Sequence, residues 1–322
     1  MSSLTNNHIG KIITVEGLIS SDAMGITLPH EHLLVEGWDH RDKNYFNSAY
    51  LELELFSAAG GKTIVDLSNI GRKRDPEFIR RLSKKAGLQI ILGTGYYKDA
   101  WLSSDTRALN VQQMTQSIIN EILIGIENTD ICAGVIGEIG ISRPMTPVEE
   151  KVLVASANAH RATGAAIILH FEIGAQPSEY LDALNIIKKA GADLNQVVIS
   201  HLIARPDNFE LIKEIIDRGC YIGFDLFGQE RWPLARDLIN TPPEVQISSL
   251  KGFIDQGFIE RILVSQNVCH VLHMTVNGGL GYGHILQNVV PRLKTFGITD
   301  QEIHTVMVEN PKRLLAFQPN RF

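Results

Sequence analysis

Two histidines one residue apart, His30 and His32 in Ile26-Thr-Leu-Pro-His-Glu-His-Leu-Leu-Val35, are spaced to share a ligand. In an extended segment residues i and i+2 face one side, so both imidazoles can point at one metal ion. The segment is apolar on either side of the pair, as a strand buried on both faces would be. Such a strand has little structural use for two histidines. Further polar residues close later apolar runs: Glu138 in Gly134-Val-Ile-Gly-Glu-Ile-Gly140, His170 in Ile167-Ile-Leu-His170, His201 in Val197-Val-Ile-Ser-His-Leu202 and Asn267 in Ile262-Leu-Val-Ser-Gln-Asn267. Taken alone, His170 or His201 reads as a hydrogen-bonded core histidine and Glu138 as half of a salt bridge. Together, four imidazoles and a carboxylate exceed the needs of one tetrahedral ion with an open position. They suit two ions sharing a bridge, for which Glu138 has two oxygens and neighbouring glycines that let the backbone approach. Imidazole nitrogen with carboxylate oxygen suits zinc, or manganese, cobalt or iron, better than calcium or magnesium. His8, His40, His160, His270, His273, His284 and His304 lack this placement and are assigned to helices, caps, loops and surfaces.

Positioning these side chains requires strands, and eight short apolar runs have strand character: Ile26 to Val35, Thr63 to Asn69, Gln89 to Tyr97, Ala133 to Gly140, Ala166 to Glu172, Gln196 to Leu202, Tyr221 to Phe227 and Arg261 to Asn267. Between them, Pro76 to Ala86, Val111 to Gly125, Pro147 to Ala162, Ser178 to Ala190 and Asn208 to Asp217 carry apolar residues at three- and four-residue intervals and predict helices. Eight alternations without a Gly/Ser/Pro-rich linker favour one closed (β/α)8 TIM barrel, a single domain over residues 1–322, above two doubly wound halves. Neither fixed-period repeats nor low-complexity tracts interrupt it. In such barrels chemistry gathers where the C-terminal strand ends converge, and every polar candidate falls at such an end. Two stretches are expected as loops over the mouth, Gly37 to Asn47 and Gly228 to Pro243.

Composition narrows the function classes. With 322 residues, 44% hydrophobic, 20% charged and 27 glycines, the chain has the make-up of a globular protein with a large core. Its net charge of -6 has no concentrated run behind it, which argues against nucleic acid and anionic membrane surfaces and leaves small molecules as ligands. Cys132, Cys220 and Cys269 are odd in number and far apart, so a reducing compartment fits better than a disulfide framework. No signal-like N-terminus and no apolar run of the roughly 18 residues a membrane helix needs is present, which predicts a cytoplasmic protein. A homodimer is the default assembly because two-fold association is commonest.

The motifs also match a known family. Gly25-Ile-Thr-Leu-Pro-His-Glu-His32 resembles the opening signature of the phosphotriesterase-related branch of the amidohydrolase superfamily. Gly137-Glu-Ile-Gly140 resembles the subgroup in which glutamate replaces a carboxylated lysine bridge. Gly93-Thr-Gly-Tyr-Tyr97, Gly278-Gly-Leu-Gly-Tyr-Gly-His-Ile285 and Glu309-Asn-Pro311 match further blocks, in order, over nearly the whole chain. Ser103-Ser-Asp-Thr-Arg107, Asn120-Glu-Ile-Leu123 and Asp225-Leu-Phe-Gly228 are similar to the vertebrate phosphotriesterase-related subgroup.

The resemblance implies a metal-dependent hydrolase with two ions, His30, His32 and Glu138 holding the more buried one and Glu138, His170 and His201 the more exposed. A metal-bridging hydroxide would attack a carbonyl or phosphoryl centre. It also implies an aspartate at the end of the eighth strand that binds the buried metal and shuttles the proton, and here that position is Asn267. An amide keeps the shape of a carboxylate but takes up no proton near neutral pH, so chemistry should be crippled while binding survives. Asn267 therefore reads as a substitution that traps substrate in an otherwise active hydrolase, or as a natural departure leaving a weak enzyme or a ligand-binding protein. Carboxylic amides, esters or lactones are the implied substrates, leaning to N-acyl amino acid or N-acyltaurine amides, with phosphotriesters as the alternative. Candidate substrate contacts are Tyr97 at the third strand end, and Trp38, Arg231 and Trp232 on the two expected mouth loops. Val268-Cys-His-Val271 offers no cation after the eighth strand, which lowers the phosphorylated-lactone option.

Overall fold

The computed structural model describes residues 8–202, 208–230 and 241–318. Eight parallel strands, each from one of the eight apolar runs, lie side by side in chain order: β3 (Thr27–Glu31), β4 (Thr63–Asp66), β5 (Gln89–Thr94), β6 (Val135–Ile141), β7 (Ile167–Phe171), β8 (Val197–Ile199), β9 (Tyr221–Phe224) and β10 (Ile262–Val264). Helices between them make the sheet a nearly closed (β/α)8 barrel. Period-two alternation divides the core. Val65, Ile91, Val135, Ile168, Val198 and Leu263 form an inner cluster, while Ile64, Ile90, Ile136, Ile167, Val197, Ile262 and Val264 pack outward with the helices.

The seam between β3 and β10 is closed by mixed bonds. Asn267 N–H donates to the His30 carbonyl at 3.1 Å and His32 N–H to the Val268 carbonyl at 3.2 Å. The fully buried Glu31 carboxylate, pointing away from its two histidine neighbours, supplies the rest. Its Oε1 accepts from Ser265 Oγ (2.7 Å) and Gln266 N–H (2.9 Å), its Oε2 from Val268 N–H (2.6 Å). Burial pushes this acid up to about 7 against those donors.

Three elements depart from the expected ones. A hairpin absent from the sequence reading, β1 (Lys11–Thr14) paired with β2 (Gly17–Ser20), precedes the barrel, and Val15 N–H beyond it bonds to the Ile90 carbonyl. The stretch Gly37 to Asn47 is only partly a loop. Asp42 caps the helix Lys43–Ala58 by accepting from Asn44 N–H at 2.9 Å, which makes Lys43 to Asn47 helical. Several strands also stop short of their apolar runs; beyond β8 and β10, His201 (φ 59°) and Asn267 (φ 51°) adopt left-handed backbone, which strands do not. Most of the second expected mouth loop, residues 231–240, lies outside the described residues, as do Arg231 and Trp232. Among the described residues no helix is long and apolar enough to cross a membrane.

Candidate metal centre at the barrel mouth

Glu138 on β6 is the hub. Its carboxylate lies 3.5 Å from His30 Nε2, 3.3 Å from His32 Nε2 and 2.7 Å from His170 Nδ1, so imidazoles from two other strand ends converge on its two oxygens. The i, i+2 spacing at the end of β3, with His30 in the strand and His32 just past it, turns both rings toward Glu138. Glu138 is placed by close backbone approach: a Cβ on Gly93 of β5 would stand 2.1 Å from the Gly137 carbonyl oxygen. Asn69 Nδ2 donates to the Glu138 carbonyl at 2.6 Å. His201 completes the set, its Nε2 lying 3.0 Å from His170 Nδ1. Ligand atoms of His30, Glu138, His170 and His201 all lie within 4.8 Å of one another.

The far side of each ring is held as metal-ligating imidazoles usually are, by an oxygen on the other nitrogen. His32 Nδ1 meets Ser68 Oγ at 3.1 Å. His30 Nδ1 lies 3.0 Å from Ser200 Oγ and 3.1 Å from Asp225 Oδ2. Asp225 Oδ1 accepts from His201 N–H at 2.9 Å and lies 3.1 Å from His201 Nδ1. One buried carboxylate therefore orients a histidine on each side of the centre. Asp225 belongs to the Asp225-Leu-Phe-Gly228 block and carried no role in the sequence reading. Ser68, Ser200 and Arg72 were likewise not singled out.

Two buried carboxylates, Glu138 and Asp225, dominate the electrostatics of these rings. Burial alone would raise the Glu138 pKa, but His170, His32 and His30 hold it well below the usual carboxylate range. Burial depresses His170 to about 4 despite Glu138, with His201 and Lys98 adding to the effect. Burial would also depress His30, yet the neighbouring carboxylates of Asp225 and Glu138 lift it to about 10. His30 Nε2 and Glu138 Oε2 face each other across 3.5 Å, and Asn267 Oδ1 beside them is buried without a hydrogen-bond partner. Nitrogen and oxygen ligand atoms aimed into one space fit a divalent ion with mixed N/O coordination.

Of the remaining candidates, Asn267 borders the cluster, its Nδ2 3.5 Å from His201 Nε2. Tyr97 joins it through a 3.1 Å contact between its hydroxyl and His170 Nε2. Trp38 is not brought to the centre; its indole donates to Asp42 at 3.3 Å and packs edge-on against Tyr45. A cavity of about 320 Å³ opens above the centre, bordered by Arg72, Tyr97, Lys98, Trp101, His170 and Asn267 among others. That volume suits a small-molecule substrate. Away from the mouth, His160 is a core histidine, its Nδ1 2.7 Å from the Ala165 carbonyl.

The chain is similar to known proteins over nearly its whole length. The model of the phosphotriesterase family matches residues 10–315. This chain belongs to the phosphotriesterase family. Its reaction class is accordingly hydrolysis. An N-acetyltaurine hydrolase from Mus musculus is 34% identical, covering 99% of this chain and 100% of the relative. Among solved structures, a resiniferatoxin-binding protein from Rhodobacter sphaeroides superposes with a TM-score of 0.89 at 29% identity, covering 95% of each chain. A phosphotriesterase homology protein from Escherichia coli, complexed with phosphate in its active site, gives 0.82 at 29% identity, covering 91% of this chain and 99% of that one.

Proposed function

We propose that this phosphotriesterase-family chain hydrolyses the amide bond of an N-acyltaurine or N-acyl amino acid, with carboxylic esters and lactones open to the same centre. The observation that carries the reading is the full-length likeness to N-acetyltaurine hydrolases. The convergence of three imidazoles on Glu138 beneath a cavity supports it from the side of chemistry.

We assign two divalent ions to the centre, zinc ahead of manganese, cobalt or iron. His30, His32 and Glu138 would hold one, beside Asn267, and Glu138, His170 and His201 the other. When bound, such ions lower the pKa of water toward neutrality and polarise a scissile carbonyl. The chain's own residues do the rest. Asp225, Ser68 and Ser200 fix the imidazole rings. Burial and the negative charge of Glu138 push the Tyr97 phenol above its ordinary range, so it stays protonated and can donate to the substrate's carbonyl oxygen. Cleavage of the C–N bond leaves a carboxylate and requires a proton on the departing amine. Asn267 cannot carry that proton near neutral pH, so turnover is slow in this form. We read the unit as one hydrolase domain over residues 1–322, cytoplasmic in keeping with free Cys132, Cys220 and Cys269, and homodimeric.

Asn267→Asp in metal-supplemented protein, assayed with N-acetyltaurine, N-acyl amino acids, lactones and aryl phosphotriesters, tests this reading. Turnover of the amides is expected to rise about 10²- to 10⁴-fold over the Asn267 form, the usual worth of a positioned proton carrier. Preference for phosphotriesters by orders of magnitude would move the function to phosphoryl centres, which the phosphate-bound Escherichia coli homologue brings into view. Ligand affinity without any gain on restoring aspartate would make the chain a binding protein.

A further inference from the structure

Beside the metal centre, the mouth cavity is bordered by two largely buried cations that the hydrolytic chemistry does not use. Arg72 follows β4, and its side chain is 10% exposed. Its guanidinium carbon sits 5.0 Å from the Tyr97 ring centre and 5.8 Å from that of Trp101, so aromatic faces fix its plane. Nη1 donates to Glu36 at 2.7 Å and Nε lies 3.9 Å from Glu138 Oε1. Nη2 has no hydrogen-bond partner among the described residues. Lys98 follows Tyr97 in sequence; its side chain is 15% exposed, and its ammonium lies 5.8 Å from the Tyr97 ring centre and 3.5 Å from Glu172 Oε2. All of these residues border the same cavity.

The order of charge is informative. Glu36 and Glu172, the carboxylates paired with these cations, are 40% and 47% exposed, while the cations themselves are largely buried. From the centre outward the sequence is therefore hub carboxylate, cation, then solvent-facing carboxylate. Keeping a guanidinium inside costs free energy unless its donors are matched, and a forked donor with an open edge matches an oxyanion.

We propose that Arg72, assisted by Lys98, forms an anion subsite that recognises a sulfonate or carboxylate on the amine half of the substrate. This rests on the amide-hydrolase reading above and names the specificity element within it. In a taurine amide two carbons separate nitrogen from sulfur, a span of about 4 Å on standard bond lengths. With the carbonyl beside Glu138, His170 and Tyr97, that span reaches a guanidinium whose Nε is 3.9 Å from Glu138. The subsite selects amides by the charge of the leaving group.

The test uses metal-supplemented protein with Asn267→Asp as background and compares N-acetyltaurine, N-acetyl-β-alanine and the uncharged N-propylacetamide. Arg72→Met should lower the ratio of kcat/KM for the charged amides over the neutral one by about tenfold or more, the worth of one charge-assisted hydrogen bond. The loss should fall mainly on KM. Arg72→Lys should recover part of the ratio, and Lys98→Met should lower it less. Both substrate classes are read on one preparation, so partial misfolding cancels. An unchanged ratio, or equal losses on charged and neutral amides, overturns the subsite. Calorimetric titration with ethanesulfonate supplies a readout independent of turnover. Should no amide be hydrolysed, the amide reading fails, while tenfold weaker ethanesulfonate binding to Arg72→Met still sustains the subsite. No difference in that titration removes it.

Discussion

Replacing Glu31 with glutamine probes how the barrel seam is held and, through it, how Asn267 is placed beside the centre. Two carboxylate oxygens receive three donors here: Ser265 Oγ, Gln266 N–H and Val268 N–H. A carboxamide has one acceptor oxygen and one donor group. Ser265 can rotate its hydroxyl to accept, but a backbone N–H cannot, so one of the two amides loses its acceptor whichever way the carboxamide turns. An unsatisfied buried donor costs about 1–3 kcal/mol. Part is regained because glutamine buries no charge, and burial already drives this carboxyl up to about 7. The net expectation for Glu31→Gln is a loss of about 1 kcal/mol. With a urea slope of about 3 kcal/mol/M, the midpoint falls by roughly 0.3 M. Urea titration by circular dichroism measures the shift, and amide hydrogen exchange should accelerate at Gln266 or Val268 ahead of β6 and β7. An unchanged midpoint with slow exchange at both amides would refute the view that this carboxylate closes the barrel.

Two further perturbations address the hub. Asp225→Asn should leave the fold intact but weaken metal retention about 10- to 100-fold, since one carboxylate aligns both His30 and His201; equilibrium dialysis against a chelator measures it, and unaltered retention would show the rings are set elsewhere. Gly93→Ala puts a methyl 2.1 Å from the Gly137 carbonyl oxygen, so the strand carrying Glu138 must shift. Destabilisation of about 1–3 kcal/mol or more is expected together with reduced metal content, and a variant of normal stability and metal content would show that the two strands can part.

The side chains that face the mouth were legible because their signal is local. His30 and His32 announce themselves by spacing, and Glu138, His170, His201 and Asn267 by standing at the ends of apolar runs. Asp225 also stands at the end of an apolar run, but its role was not legible, because it acts on His30 and His201 across strands and no spacing along the chain relates the three. Arg72 sits in Gly71-Arg-Lys-Arg-Asp75, where a solvated charged loop is the ordinary reading; only folding lays its guanidinium against Tyr97 and Trp101. The ends of β8 and β10 were drawn too long because His201 and Asn267 lie within apolar runs yet leave strand geometry with positive φ. The helix Lys43–Ala58 was hidden at its start by aromatic and charged residues, although Asp42 was available as its cap. Short Lys11–Thr14 and Gly17–Ser20 carried too few residues for alternation to register.

Anomalous diffraction from crystals of the metal-supplemented protein tests the central claim most directly. The account predicts two peaks, each in contact with a Glu138 oxygen, one also with His30 and His32 and the other with His170 and His201. Crystals diffracting well with no peak at Glu138, or with ions bound only elsewhere, would contradict it.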